Sequence, residues 1–287
     1  MPHILQEPVC WWMVDIRLYK LVTAYSRAFK TGFGLFQENL LNSLLIRGDD
    51  CRMNMSRETE IEQLKNRRRE LFDQNVLNIL NGQVMYEEFK NNKLMGDADY
   101  APFNEAMCVN ATTASIFDYA FIQTRAAGHG ESEESYRNKV ITPLNHLFEK
   151  SYDYIVLWFG EDMFCQMNLL TILAYLEQSQ YKGQVFLNSF REDEFKVSQT
   201  ELTLGNYGSV YKEVLVHHMK LTKEVPRVMY QAIELFLEMQ TENNRVRKYI
   251  INHKHLPSTE LLKRLFEVFP ALGYGDSQYL KFIDQIL

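Results

Sequence analysis

Glu161 and Asp162 stand side by side where an uncharged apolar run, YIVLWF (Tyr154 to Phe159), hands over to a stretch of helical periodicity. That junction places both carboxylates at the carboxyl end of a buried strand, where open α/β sheets bind ligands. Paired there, they could hold a divalent metal such as Mg through oxygen ligands, or divide into acid and base if their pKa values separate. The alternative is that one of them caps the helix and complements its dipole. Gln166, four residues after Asp162, falls on the same helical face and could orient a ligand or a carboxylate, unless it is an ordinary polar surface residue. Cys165 lies in the first helical turn, where the dipole favours a thiolate. With acidic neighbours and no His close in sequence, it reads better as a buried spectator. Glu105, in FNEAM, could bring a third carboxylate to the same edge and accept a proton from an attacking water, or it is a loop residue.

Three other places carry possible chemistry. Asn81-Gly82 follows the apolar run VLNIL and could wrap a phosphate at a helix N-terminus, although a tight turn explains the pair as well. Arg125 and His129, in RAAGHG, could form an anion-binding loop. His217-His218 and His253-Lys254-His255 have no HExxH spacing and read as ordinary helical histidines. GxGxxG, GxxxxGK[ST] and GxSxG are all missing, so dinucleotide, Walker and nucleophile-elbow readings lack their fingerprints.

The elements that would position these residues alternate. VLNIL (Val76 to Leu80) reads as a strand, QVMYEEFKNNKLM as a helix, and ADYAPFNEAM as extended around Pro102. Helical stretches follow at about 115–127 and 133–149, then the YIVLWF strand, a helix to Gln178 and a strand in KGQVFLNSF. Alternation of this kind predicts parallel strands joined by right-handed crossovers. From Tyr207 the pattern is helical at about 208–220, 226–252, 258–268 and 276–286, with Ser258 and Asp276 as candidate N-caps.

The 287 residues are 46% hydrophobic with net charge -6, a composition that supports a core and disfavours bulk electrostatic binding to nucleic acid or anionic membrane. The four cysteines have no CxxC pair, which disfavours a disulfide framework or structural zinc and fits reduced thiols in a cytoplasm. VCWWMV (Val9 to Val14) is too short for a signal-peptide core or a spanning helix. Residues 1–52 carry a helical apolar pattern (Val14, Leu18, Leu21, Val22, Tyr25, Phe29), and 53–75 are highly charged yet neutral overall, as a solvated helical linker would be. Met53 and Met55 open that linker, so a start codon downstream of Met1 is one reading of residues 1–52.

VLNILNGQ, GDADYAPFNEAM, YDYIVLWFGEDMFCQMNLLTILAYL and FPALGYGDSQYLKFI together resemble an uncharacterised bacterial family, a domain of unknown function, over about Val76 to Leu287. The resemblance places Asn81, Gly82, Glu105, Trp158, Glu161, Asp162 and Gln166 on motif positions and implies that they matter, not what they do. Gln83 departs from the family's usual Asn-Gly-Asp turn, against a metal or phosphate role at that position. ALGYGDSQYLKFI is also similar to the second helix-turn-helix of arabinose-operon-type transcriptional regulators. However, residues 257–287 carry three basic and four acidic groups, and stacked amphipathic helices explain the segment without DNA.

The expectation is therefore an α/β protein with a Rossmann-like open, mostly parallel sheet flanked by helices. Its parts are an N-terminal extension (1–52), a charged linker (53–75), an α/β core (76–205) and a C-terminal helical subdomain (206–287). Asn81, Gly82, Arg125, Trp158 and Gln166 would bind a small polar or phosphorylated ligand. Glu105, Glu161 and Asp162 would perform metal-assisted hydrolysis, with the metal on Glu161 and Asp162. A non-enzymatic regulator or protein-interaction module using the C-terminal helices is the alternative, and oligomeric state is left open.

Overall fold

The uncharged run Val76–Leu80 forms β1, every residue of it buried, and Asn81-Gly82 turns the chain into α1 (Gln83–Asn91). Gly82 has φ 103, a backbone conformation that disfavours any side chain, which is why this turn carries glycine. β2 (Asp99–Pro102) follows, with proline tolerated on this edge strand. The computed structural model describes residues 75–286 apart from 94 and 192–195. The apolar pattern of 1–52 and the charged segment up to 74 lie outside the described residues.

The crossover from β2 contains α2 (Tyr119–His129), which starts on an Asp118 cap and ends at Gly130 with φ 70. The single helix expected over 133–149 is instead broken. Short α3 (Glu133–Tyr136) passes through a wide turn and a 3-10 turn at Thr142–Leu144 before α4 (Asn145–Glu149). Pro143 lacks the N–H that a continuous helix would need there.

β3 (Tyr154–Gly160) enters the middle of the sheet, and α5 (Met163–Gln178) returns over it to β4 (Gln184–Arg191). β5 (Lys196–Leu202) closes the sheet in the order β2-β1-β3-β4-β5, with the first four strands parallel and β5 antiparallel to β4. No apolar pattern in the sequence marks a strand at 196–202. Its polar, charge-bearing QTEL end is suited to an exposed edge and lacks the apolar run that marks the inner strands.

Strand alternation divides the core in two. Val76, Leu80, Val156 and Trp158 face α1, where Phe89 meets Trp158 edge-on at 4.8 Å between ring centroids. Leu77, Ile79, Ile155, Leu157 and Phe159 face α5. Twelve of the 16 residues of α5 are buried, so it is covered on all sides: by the sheet on one and by the helices that follow on the other.

Those helices are α6 (Tyr207–Tyr211), continued by a wide turn to Val216, α7 (Arg227–Met239), α8 (Arg245–Asn252), α9 (Ser258–Val268) and α10 (Asp276–Ile286). Buried side chains of α6 to α10 belong to the same hydrophobic cluster as the α5 face of the sheet. The one helix expected over 226–252 is two. Buried Asn244 donates through Nδ2 to the carbonyls of Met239 (3.2 Å) and Thr241 (2.9 Å) and accepts from Arg247 N at 3.0 Å, ending α7 and starting α8. Ser258 and Asp276 are first helical residues behind Pro257 and Gly275, not caps. At α10 it is Gln278 Oε1 that reaches back to Gly275 N, at 2.9 Å. Among the described residues no helix is long and apolar enough to cross a membrane.

Candidate functional site

In a sheet of this order the chain leaves β1 and β3 for opposite faces, so a crevice is expected at their carboxyl ends. Asn81, Glu105, Glu161 and Asp162 all follow strand ends on that edge, as their spacing predicted. Their side chains, however, are engaged in separate places.

Glu105 is 5% exposed and its carboxylate is held on all sides. Arg125 donates from Nη2 to Oε1 (2.7 Å) and from Nε to Oε2 (3.3 Å), His129 Nε2 lies 2.7 Å from Oε1, and Ala106 N donates to Oε1 at 2.7 Å. The Tyr136 hydroxyl donates to Oε2. Burial alone would push this carboxyl up. The Arg125 guanidinium and the hydrogen bonds from His129 and Arg125 override it and hold the group well below the usual carboxylate range. Burial and the Glu105 charge push the Tyr136 hydroxyl up, so it remains a donor.

Arg125 also donates from Nη1 to the carbonyls of Val109 (2.8 Å), Asn110 (3.2 Å) and Ala111 (3.1 Å), and from Nη2 to Ala106 O at 3.0 Å. This places Glu105 as half of a buried ion pair rather than as a base facing a cleft. Arg125 organises the loop backbone and is not presented to an anion. Sequence spacing paired Arg125 with His129 but gave no sign that Glu105 and Tyr136 complete the cluster.

Asp162 caps α5, its Oδ1 accepting from Cys165 N at 2.9 Å, so the capping alternative holds for this carboxylate. Against it lies the turn after Pro270–Leu272: a Cβ at Gly273 would fall 2.0 Å from Asp162 Oδ1, and Gly273 has φ +66. Asn81 Nδ2 donates to Cys165 Sγ at 2.9 Å, while Asn168 Nδ2 donates to Asn81 Oδ1 (2.8 Å) and to Glu105 O (2.6 Å). Met107 N donates to Asn168 Oδ1 at 2.9 Å. The crevice between β1 and β3 is thus filled by a polar network centred on Asn168, a residue the sequence reading did not single out. Trp158 is fully buried, with Nε1 donating to Asn78 Oδ1 at 3.0 Å, and so supports the sheet from within instead of meeting a ligand. Gly82 caps α1 through the backbone alone.

Glu161 and Gln166 look elsewhere. With Ser189 they form the polar part of a cavity of about 160 Å³ where α5, β4, β5 and the first turn of α7 meet. Leu169, Leu173, Leu187, Leu202, Val228 and Met229 supply most of its apolar wall, and Thr200, Tyr207 and Pro226 complete it. Ser189 Oγ donates to Glu161 Oε1 at 3.3 Å, and Gln166 Nε2 donates to Gly160 O at 2.7 Å. Among the described residues no lining side chain is Lys, Arg or His.

The three carboxylates expected to converge do not share this cavity, since neither Glu105 nor Asp162 lines it. Among the described residues no group of three His, Cys, Asp or Glu side chains is placed to hold a metal ion. Glu161 and Asp162, expected to hold the metal, are thus not joined by a third such side chain among the described residues. No family model, curated protein or solved structure matches the chain.

Proposed function

We propose that the protein binds a small, mainly apolar molecule carrying one polar group, in the cavity between α5, β4, β5 and α7. The observation that carries this reading is the cavity itself: a wall of leucines, valine and methionine with Glu161, Gln166 and Ser189 gathered at the strand ends. A volume of 160 Å³ is close to that of apolar cavities of about 150 Å³ that accept one aromatic ring, which sets the ligand's size. A phosphorylated ligand is the poorer fit, because the described residues of the wall offer no cationic side chain. Hydrolysis with Glu105 as base draws no support from a carboxylate already held by Arg125, His129 and Tyr136.

The resemblance to an uncharacterised bacterial family belongs to the same proposal, since Glu161 and Gln166 stand on its motif positions. The experiment is an NMR titration with toluene and indole, following the methyl groups of Leu169, Leu173 and Met229. Saturable shifts confined to these groups, abolished when Leu187→Phe fills the space, are the expected result. Unsaturable shifts spread over the surface, unchanged in that variant, would refute the reading.

A further inference from the structure

Gln166 is 2% exposed, yet only one end of its amide is satisfied. The hydrogen bond from Nε2 to Gly160 O fixes which way the amide points, because only the NH2 end can meet a carbonyl. Its Oε1 then accepts no hydrogen bond from the described residues. Among the described residues, the side-chain atoms that are both sealed from open space and without a partner are Asn104 Oδ1 and Asp276 Oδ1, so the Gln166 oxygen still borders open space, and the space this buried residue borders is the cavity. Next to it, Ser189 turns its hydroxyl proton toward Glu161 Oε1, leaving lone pairs at this end of the wall.

We propose that the ligand presents an N–H or O–H donor to Gln166 Oε1, which makes its class a ring-sized apolar body bearing a hydroxyl, amide N–H or amine. This rests on the ligand-binding reading above and narrows it. A buried acceptor that loses water and gains no donor opposes binding, whereas a matched donor restores what desolvation removes. Gln166 is thus a specificity residue, selecting donors against equally sized hydrocarbons and against acceptors.

Matched ring pairs on the unaltered protein test it, so the outcome does not depend on a variant that folds. Phenol, toluene and anisole differ at one substituent and would be titrated by NMR while the Gln166 side-chain amide resonance is followed. Phenol is expected to bind about tenfold more tightly than toluene, the scale of one net hydrogen bond, and to shift the Gln166 amide. Anisole, with its oxygen blocked by methyl, should bind no better than toluene. Equal affinities for phenol and toluene, with leucine methyls shifting in both, would overturn the donor assignment and leave the cavity reading standing. Anisole equal to phenol would overturn it as well. Binding of none of the three would overturn both. In Gln166→Met, the phenol preference should disappear while toluene binding persists, and a preference that survives there also counts against the assignment.

Discussion

The α-carbon of Gly273 lies so close to the carboxylate of Asp162 that a Cβ there would sit 2.0 Å from Oδ1. Gly273→Ala therefore meets two costs: the left-handed backbone, about 1–2 kcal/mol, and displacement of the oxygen that caps α5, about 1 kcal/mol. Urea denaturation should show a loss of about 2–3 kcal/mol. In an Asp162→Ala background the same substitution should cost less, because the cap and the 2.0 Å clash with Oδ1 are already gone, leaving the backbone part and a 3.0 Å approach to the Cβ of residue 162. Additive losses in the two backgrounds would contradict this account.

The Glu105–Arg125 pair sets a pH dependence of definite sign. The folded pKa of Glu105 is depressed from an ordinary value of 4.5, so its contribution is fully present above that value and is lost as pH falls through the folded pKa. Glu105→Gln should cost about 3–5 kcal/mol at pH 7, because Arg125 stays buried without its counter-charge. Denaturation midpoints between pH 6 and 3 should then fall less steeply for the variant than for the parent. Parallel pH profiles would show that another carboxylate controls acid unfolding.

Asn78→Ala removes the acceptor for Trp158 Nε1 inside the sheet and leaves a buried donor unpaired. A loss of about 2 kcal/mol is expected. Because the indole is fully buried, its emission should also shift in the folded state, and an unchanged spectrum with unchanged stability would remove the structural role assigned to this bond.

Glu177 accepts from the backbone of Tyr207 (2.9 Å) and Gly208 (2.8 Å), fixing the start of α6 from the end of α5. Glu177→Ala should cost about 1–2 kcal/mol, and hydrogen exchange should accelerate at 207–211 before it does at β3. Uniform acceleration would mean that α6 is held by its apolar contacts alone.

The sequence made the inner strands and α5 legible because burial on both faces leaves uncharged runs such as VLNIL and YIVLWF. β5 was hidden for the opposite reason: an edge strand with one wet face has the composition of a loop. The break at Asn244 was hidden because its side chain serves two helices at once, which no periodicity records. In the site, strand-end position was correctly read for Asn81, Glu105, Glu161 and Asp162, while the direction of each side chain was not. Arg125 reaches Glu105 from a helix 20 residues further on, and the cavity wall gathers Leu169, Ser189 and Met229 from three elements, so neither leaves a local pattern.

The contact of Gly273 with Asp162 also bears on the order of events in synthesis. The sheet and α5 are complete in sequence before α6 and α7, which pack on the outer side of α5, are made, and the 270–272 turn that closes over the start of α5 comes later still, so a nascent chain carries one naked side of its central helix until residues 207–239 arrive. Contacts this far apart in the chain slow folding and prolong exposure of apolar surface. Pulse proteolysis of ribosome-bound chains should accordingly show protection of α5 rising once residue 239 has cleared the exit tunnel, and the released chain should gain the rest when the 270–273 turn closes over its start.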